Sequence, residues 1–389
     1  TTLGEIGKWQ AGGTPNRTIK SYYGGEIPWL KTGDLNDGII ENIPESITEE
    51  ALQNSSAKLN PTNSILIAMY GATIGKLGIL SYPAATNQAC CACIEYSAVE
   101  KYYLFYFLLS HRHHFIYKGG GGAQPNISKE KILNTAIPLP PIEEQRRIIK
   151  TIEKWFLIIN IVEANKNEAL ECIKVAKNKI LDLAIHGKLV PQHPADEPAI
   201  KLLKRVNPSA EITCDNEQYW NMPNGWCVCR IKDLFKICMG QSPAGTSLNQ
   251  IEGMEFHQGK ICFTDKFLDK SKILTNRPTK IADANSLLIC VRAPVGVLNI
   301  NTRQICIGRG LCALLPSKCV DLGFAFHCLT TYQQRFEQKS TGSTFKAISG
   351  DIIKNELFPL PPLAEQQRIV AKIEELFAQL DAIENSLQA

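Results

Sequence analysis

The chain is written twice, and nothing else in it constrains the fold as much. Residues 137–156 read IPLPPIEEQRRIIKTIEKWF and residues 358–377 read FPLPPLAEQQRIVAKIEELF, separated by 221 residues with no gap. Pro138, Pro140, Pro141, Glu144, Gln145, Arg147, Ile148, Ile152, Glu153 and Phe156 recur identically. Upstream the likeness is weaker but keeps its register. ISKEKILN (127–134) lies over ISGDIIKN (348–355), and Cys91-Ala92 lies over Cys312-Ala313. SILIAMYGATIG (64–75) lies over SLLICVRAPVG (286–296) with one residue deleted, and LGEIGKWQAGGTP (3–15) lies over IKDLFKICMGQSP (231–243) at a separation of 228. A repeat of this length means one fold used twice on one chain. The expected order is a globular domain (1–137), a central helix and linker (138–205), a diverged second domain (206–358) and a last helix (359–389).

The helical copies carry a heptad seam. From Ile142 to His186 there is no Gly or Pro, and Gly187 offers a C-terminal stop. Apolar or small residues fall at Ile148, Ile152, Trp155, Ile159, Val162, Ala169, Ile173, Ala176, Ile180 and Leu183, with Lys166 the one polar interruption. Ile369, Ile373, Leu376, Leu380, Ile383 and Leu387 repeat the spacing. Alternating steps of four and three ask for a coiled-coil partner. The simplest arrangement is an antiparallel pair that relates the two domains by a pseudo-two-fold axis. The second helix stops short of the first, and the first domain lacks a counterpart of PNGW (223–226), so residues are expected to be missing at both ends.

The fold class expected is α+β: two mixed α/β domains joined by this long two-helix spacer. Strands are expected at Ile27–Leu30, Ser64–Met69, Cys90–Ile94, Ser286–Val291 and Leu311–Leu315, and helices at Lys101–Ser110 and Gly323–Gln334. The net charge of +4 is too small to imply nucleic acid by itself, so any such footprint must come from local placement of cations. The 14 cysteines show no C-x2-C spacing and read as small reduced core residues. No apolar run reaches membrane-spanning length and no secretory signal opens the chain, which favours the cytoplasm.

Polar loops recur at matching places in both domains. In the first they carry Thr14, Asn16 and Arg17, then Lys31 and Thr32, Tyr70 and Thr73, Gln88, and Gln124 with Asn126. In the second they carry Gln241 and Ser242, then His257, Gln258 and Lys260, Arg292, Arg309, and Ser343, Thr344 and Lys346. Arg and Lys suit guanine edges, Gln and Asn suit adenine, and glycines beside them let backbone approach phosphates. Like scaffolds with unlike loops suggest two different targets. No methyltransferase, P-loop or nuclease motif accompanies them, and His111-Arg112-His113-His114 has no acidic partner in sequence, so neither a catalytic residue nor a metal site is assigned. Two rival readings stay open: the recognition part of a standalone DNA methyltransferase, and a coiled-coil scaffold that binds only protein.

The layout resembles the specificity subunits of type I restriction-modification systems. The resemblance rests on Pro138-Leu139-Pro140-Pro141 with Glu144-Gln145, on Pro359-Leu360-Pro361-Pro362 with Glu365-Gln366, on the stretch from Ala184 to Gln192, and on Asp196-Glu197-Pro198-Ala199. It covers nearly the whole chain. It implies a non-catalytic subunit in which each domain reads one half of a split double-stranded DNA target and the spacer sets the unread gap. Two modification subunits, which bind S-adenosylmethionine, would dock on the spacer, and the arrangement leaves room for two motor-nuclease subunits. The spacer residues implied are Glu144, Gln145, Arg147, Ile148 and Ile152, with Glu365, Gln366, Arg368, Ile369 and Ile373. This chain itself would hold no cofactor.

Overall fold

The computed structural model describes residues 1–119, 126–212, 222–342 and 346–388. It divides into two compact units, Thr1–Glu163 and Ala164–Ala389, and the boundary falls inside the central helix, Ile142–Ile185. The expected strands and helices form, with ends shifted by a few residues. One expectation is corrected: Gly323–Gln334 is two helices, Leu322–Thr330 and Gln333–Lys339, broken at Thr331-Tyr332.

In the first unit Ile65–Ala68 is apolar at every position because both its faces are covered. Ile65 and Ile67 face a core shared with Cys91, Cys93, Leu104 and Leu108. Leu66 and Ala68 face a second core shared with Leu30, Ile40, Cys90 and Ala92. The strand lies in a five-stranded sheet of order Gly7–Ala11, Cys90–Tyr96, Ile65–Ala68, Leu77–Leu80, Gly38–Ile40. A four-stranded sheet, ordered Ser46–Ile47, Tyr23–Leu30, Ala84–Thr86, Leu59–Asn60, supplies Leu30 and Ala84 to the second core. Helix Lys101–Ser110 closes the first core with Tyr103, Leu104, Phe105, Phe107 and Leu108.

The second unit repeats this plan in register. Ile65↔Cys93 and Ile67↔Cys91 in the first unit become Leu287↔Leu314 and Ile289↔Cys312 in the second. The parallel pair Trp29↔Ala85, Leu30↔Thr86 becomes Phe256↔Cys306, His257↔Ile307. The two-core division recurs: Leu287 and Ile289 face one core, Leu288 and Cys290 the other. Every described cysteine is a free thiol, most are buried, and burial pushes the Cys91 and Cys93 thiols up to about 12, so they stay protonated. No described helix is long and apolar enough to cross a membrane, and no described cluster could hold a metal ion.

The repeated Gln of the helical motif has an identifiable task. Gln145 Oε1 accepts from the Glu100 N–H (2.8 Å), and its Nε2 donates to the carbonyls of Ala98 (3.0 Å) and Pro140 (2.9 Å). Gln366 does the same with Asp321 N–H (2.7 Å), Cys319 O (3.0 Å) and Pro361 O (2.9 Å). Each Gln thus ties the start of its long helix to the residue capping the preceding domain helix, satisfying donors and acceptors that burial would otherwise orphan. Around Gln366 the linker adds two more ties within the second unit. Gln192 Nε2 donates to buried Glu365 (3.0 Å), and Asp196 pairs with Arg368 (2.6 Å).

This corrects one expectation. Gln145, Glu365, Gln366, Ile369 and Ile373 are buried in their own units, so they anchor the helices and present no docking surface. Arg147 is exposed and paired with Glu144, while Ile148 and Ile152 are half-buried. Gly187 ends the central helix with φ +64°, with Lys188 N–H on Leu183 O (2.8 Å) and Gly187 N–H on Ala184 O (3.3 Å), a Schellman closure. In its first half the seam is bare, with Trp155 59% exposed, Ile159 46% and Val162 60%, whereas Ile173 further along is buried.

Candidate nucleic-acid interface

The polar loops grow from the same backbone frame in both units. Gly12 N–H donates to Cys90 O (3.0 Å) and Gly13 N–H to Thr86 O (2.9 Å); their counterparts are Gly240 N–H to Leu311 O and Gln241 N–H to Ile307 O (both 2.9 Å). A side chain at Gly12 or Gly240 would run into carbonyl oxygens of the facing strand, which is why glycine opens each loop. Beyond it, the Thr14 hydroxyl donates to Gln88, and the Arg309 N–H donates to the Ser242 hydroxyl (3.4 Å). Thr14 and Ser242 are therefore equivalent, as are Gln88 and Arg309.

A second equivalence lies beside the first. Met69 N–H donates to Ala89 O (2.8 Å), and Val291 N–H donates to Gly310 O (2.9 Å). The next residues, Tyr70 and Arg292, form matching isolated bridges, Tyr70↔Asn126 and Arg292↔Ala347. Both side chains are exposed. From the parallel strand pair, Lys31 and Gln258 follow the equivalent residues Leu30 and His257. Four of the predicted loop residues of each unit, Thr14, Lys31, Tyr70 and Gln88 in the first and Ser242, Gln258, Arg292 and Arg309 in the second, thus stand at equivalent points of the frame.

The chemistry of the two frames differs. In the first unit Lys31 is paired with Glu45, and Arg17 lies over the rings of Tyr23 (5.7 Å) and Trp29 (5.5 Å). Asn16 spends its carbonyl on Thr18 N–H (3.0 Å), Thr73 donates to Tyr70 O (2.8 Å), and Thr32 sits in a short 3-10 turn. In the second unit Gln258, Lys260 and Arg292 border one recess of about 140 Å³ with Pro294 and Gly310. Lys260, Arg292, Arg309 and Lys346 are exposed, and none has an ion-pair partner among the described residues. Gln124, Ser343 and Thr344 lie outside the described residues. A larger cavity, about 630 Å³, is elsewhere in the second unit, between the end of the central helix and helix Gln333–Lys339.

His257 is corrected as a surface contact. It is 3% exposed and its ring faces Glu255 (3.2 Å), in the place that Leu30 fills in the first unit. Burial lowers its pKa, so the ring is held neutral. The residues that sequence reasoning missed lie beneath it. Arg303 grips Glu255 through two bonds of 2.6 Å and also donates to Leu268 O (3.1 Å) and Asp269 O (3.0 Å), while Ser271 N–H donates to Glu255 (3.0 Å). This network braces the strand that delivers Gln258. Its members are up to 48 residues apart, with no spacing to reveal them.

Comparison with known proteins adds a family to this geometry. The model of the type I restriction modification DNA specificity domain matches residues 1–172 and again 223–389. A Methanocaldococcus jannaschii protein provisionally assigned as the MjaX type I restriction enzyme specificity subunit is 32% identical over 257 residues, covering 65% of this chain and 55% of that protein. The EcoR124I/EcoR124II specificity subunit of Escherichia coli is 34% identical over 167 residues, covering 41% of each. The chain spans about half the length of these relatives. Among solved structures, one described under complex assembly and conformational transition of the type I R-M system aligns with a TM-score of 0.74 at 25% identity, over 100% of this chain and 92% of that one. The HsdS subunit from Thermoanaerobacter tengcongensis aligns with a TM-score of 0.62 at 24% identity, over 99% and 90%, and shares the fold. With the domain matched twice, at the two units whose strands share one register, this chain belongs to the type I restriction-modification DNA specificity family.

Proposed function

We propose that the chain is the non-catalytic DNA reader of a type I restriction-modification complex, with each unit reading one half of a split duplex target. The observation that carries this is the paired frame: one backbone arrangement, twice, bearing Thr14, Lys31, Tyr70 and Gln88 in one unit and Ser242, Gln258, Arg292 and Arg309 in the other. A shared ligand would keep these side chains alike, whereas two different half-sequences require them to differ. Exposed Lys, Arg, Gln and Asn on such frames suit base edges and phosphates.

The helices are the ruler in this reading. At ~1.5 Å per residue a helix of 44 residues is about 66 Å long, enough to separate two readers by one or more DNA turns. Antiparallel pairing with the last helix, Leu363–Gln388, is supported by Lys177 meeting Asp381 (2.7 Å) and Glu384 (3.0 Å) while Gln192, further along, meets Glu365. The bare Trp155, Ile159 and Val162 are the surface on which modification subunits dock. Those subunits, not this chain, bind S-adenosylmethionine and methylate an adenine in each half-site, and motor-nuclease subunits join for cleavage.

The test is to exchange residues 1–137 for those of a family member with a different target. The hybrid is produced with its modification subunit in a host without DNA methylation, and methylated adenines are mapped. One half-sequence should change and the other should stay. A change in both halves, or in neither, contradicts the two-reader account.

A further inference from the structure

We infer that Arg292 reads a guanine, supported by Arg309 beside it, so that the half-site of the second unit carries guanine where the first unit's does not use a guanidinium. The inference rests on the two-reader function proposed above and goes further by assigning base chemistry to one half.

Three observations carry it. First, Arg292 stands on rigid backbone. Val291 is bonded to Gly310 on one side, and on the other Ile348 N–H meets Val291 O (3.0 Å) and Ala293 N–H meets Lys346 O (3.2 Å). The strand before it, Ser286–Cys290, is wholly buried. A planar, five-donor fork held in register in this way can meet the N7 and O6 of guanine bidentately. Second, the guanidinium of Arg292 is exposed at the rim of the recess shared with Gln258 and Lys260 and has no ion-pair partner among the described residues. In the first unit, by contrast, Lys31 is spent on Glu45. Third, both guanidiniums occupy places where the first unit has no cation: Tyr70 stands for Arg292 and Gln88 for Arg309. A phosphate contact does the same sequence-independent work in any half-site, so a cation serving it would recur on the common frame. A base contact is what should differ.

The experiment uses the full chain with its modification subunit in a host lacking DNA methylation, and maps methylated adenines for the unaltered protein, R292Q and R309Q. The half belonging to the second unit is the one that changes when residues 206–358 are exchanged. It should contain guanine, and R292Q should relax one guanine position by about 5- to 150-fold in preference while leaving the first half-sequence intact. R309Q should relax a neighbouring position or weaken the same one. A second half-site without guanine, or one unchanged in both variants, overturns the assignment while leaving the two-reader function standing. Methylation reduced equally for every base at these positions marks phosphate contacts and also overturns it. If the unaltered complex shows no split motif, the proposed function fails and this inference with it.

Discussion

At the scale of single residues, the supports matter as much as the contacts. Glu255 sits against Arg303, whose bidentate grip, more than any other influence, holds its carboxyl at about 2, well below the ordinary 4.5. A depressed carboxyl stabilises the folded state fully above its unfolded pKa and ceases to do so as pH falls through the folded value. Thermal unfolding of the unaltered protein should therefore lose stability between about pH 4.5 and pH 2, with Glu255 contributing about 3 kcal/mol of the loss. In E255Q that contribution should already be absent at pH 7, so the two proteins should converge in acid. A difference independent of pH would contradict this account of the network. Gln145 and Gln366 pose a parallel test. Each is a buried side chain making three bonds to backbone, so Q145A and Q366A should each cost about 2–4 kcal/mol in denaturant unfolding.

At the scale of elements, the central helix shows what sequence patterning reveals and what it hides. Its start and stop were legible because proline and glycine act locally, and Gly187 closes it as expected. In G187A a Cβ would sit on the Pro223 ring, and the positive φ would strain any side chain; we expect a loss of about 1–3 kcal/mol, read by thermal unfolding. The heptad seam was legible too, but not what each part of it touches. Ile369 and Ile373 continue the pattern that Trp155 and Ile159 begin, yet the first pair is buried in its own unit and the second pair is bare. Periodicity reports that a face is apolar and is silent about which neighbour covers it. If modification subunits cover the bare stretch, W155S with I159S should weaken their co-purification at least tenfold and leave the free chain's unfolding midpoint within about 0.5 kcal/mol. Unchanged assembly would place docking elsewhere.

At the scale of the whole molecule, the repeat made the architecture readable and the divergence made the site partly so. Strands such as Ile65–Ala68 and Ser286–Cys290 were readable because burial on both faces leaves continuous apolar runs. The two-residue strands Ser46–Ile47 and Ile281–Ala282 were not, since nothing in so short a run separates a strand from a turn. Gln241-Ser242 stands where Gly13-Thr14 does, as the repeat implies. The exact equivalences, Tyr70 with Arg292 and Gln88 with Arg309, needed the hydrogen-bond register, and His257 was misread because its polar ring hides where the first unit buries Leu30.

The central claim is that the long helix fixes the spacing between two readers without taking part in what they read. Inserting one heptad after Glu163, where the helix is exposed, lengthens it by about 10 Å, roughly three base pairs, while keeping its face. Adenine methylation mapped for this variant with its modification subunit should show either both half-sequences unchanged at a longer gap or no methylation at all. A changed half-sequence, or full methylation at the original gap, would contradict the account.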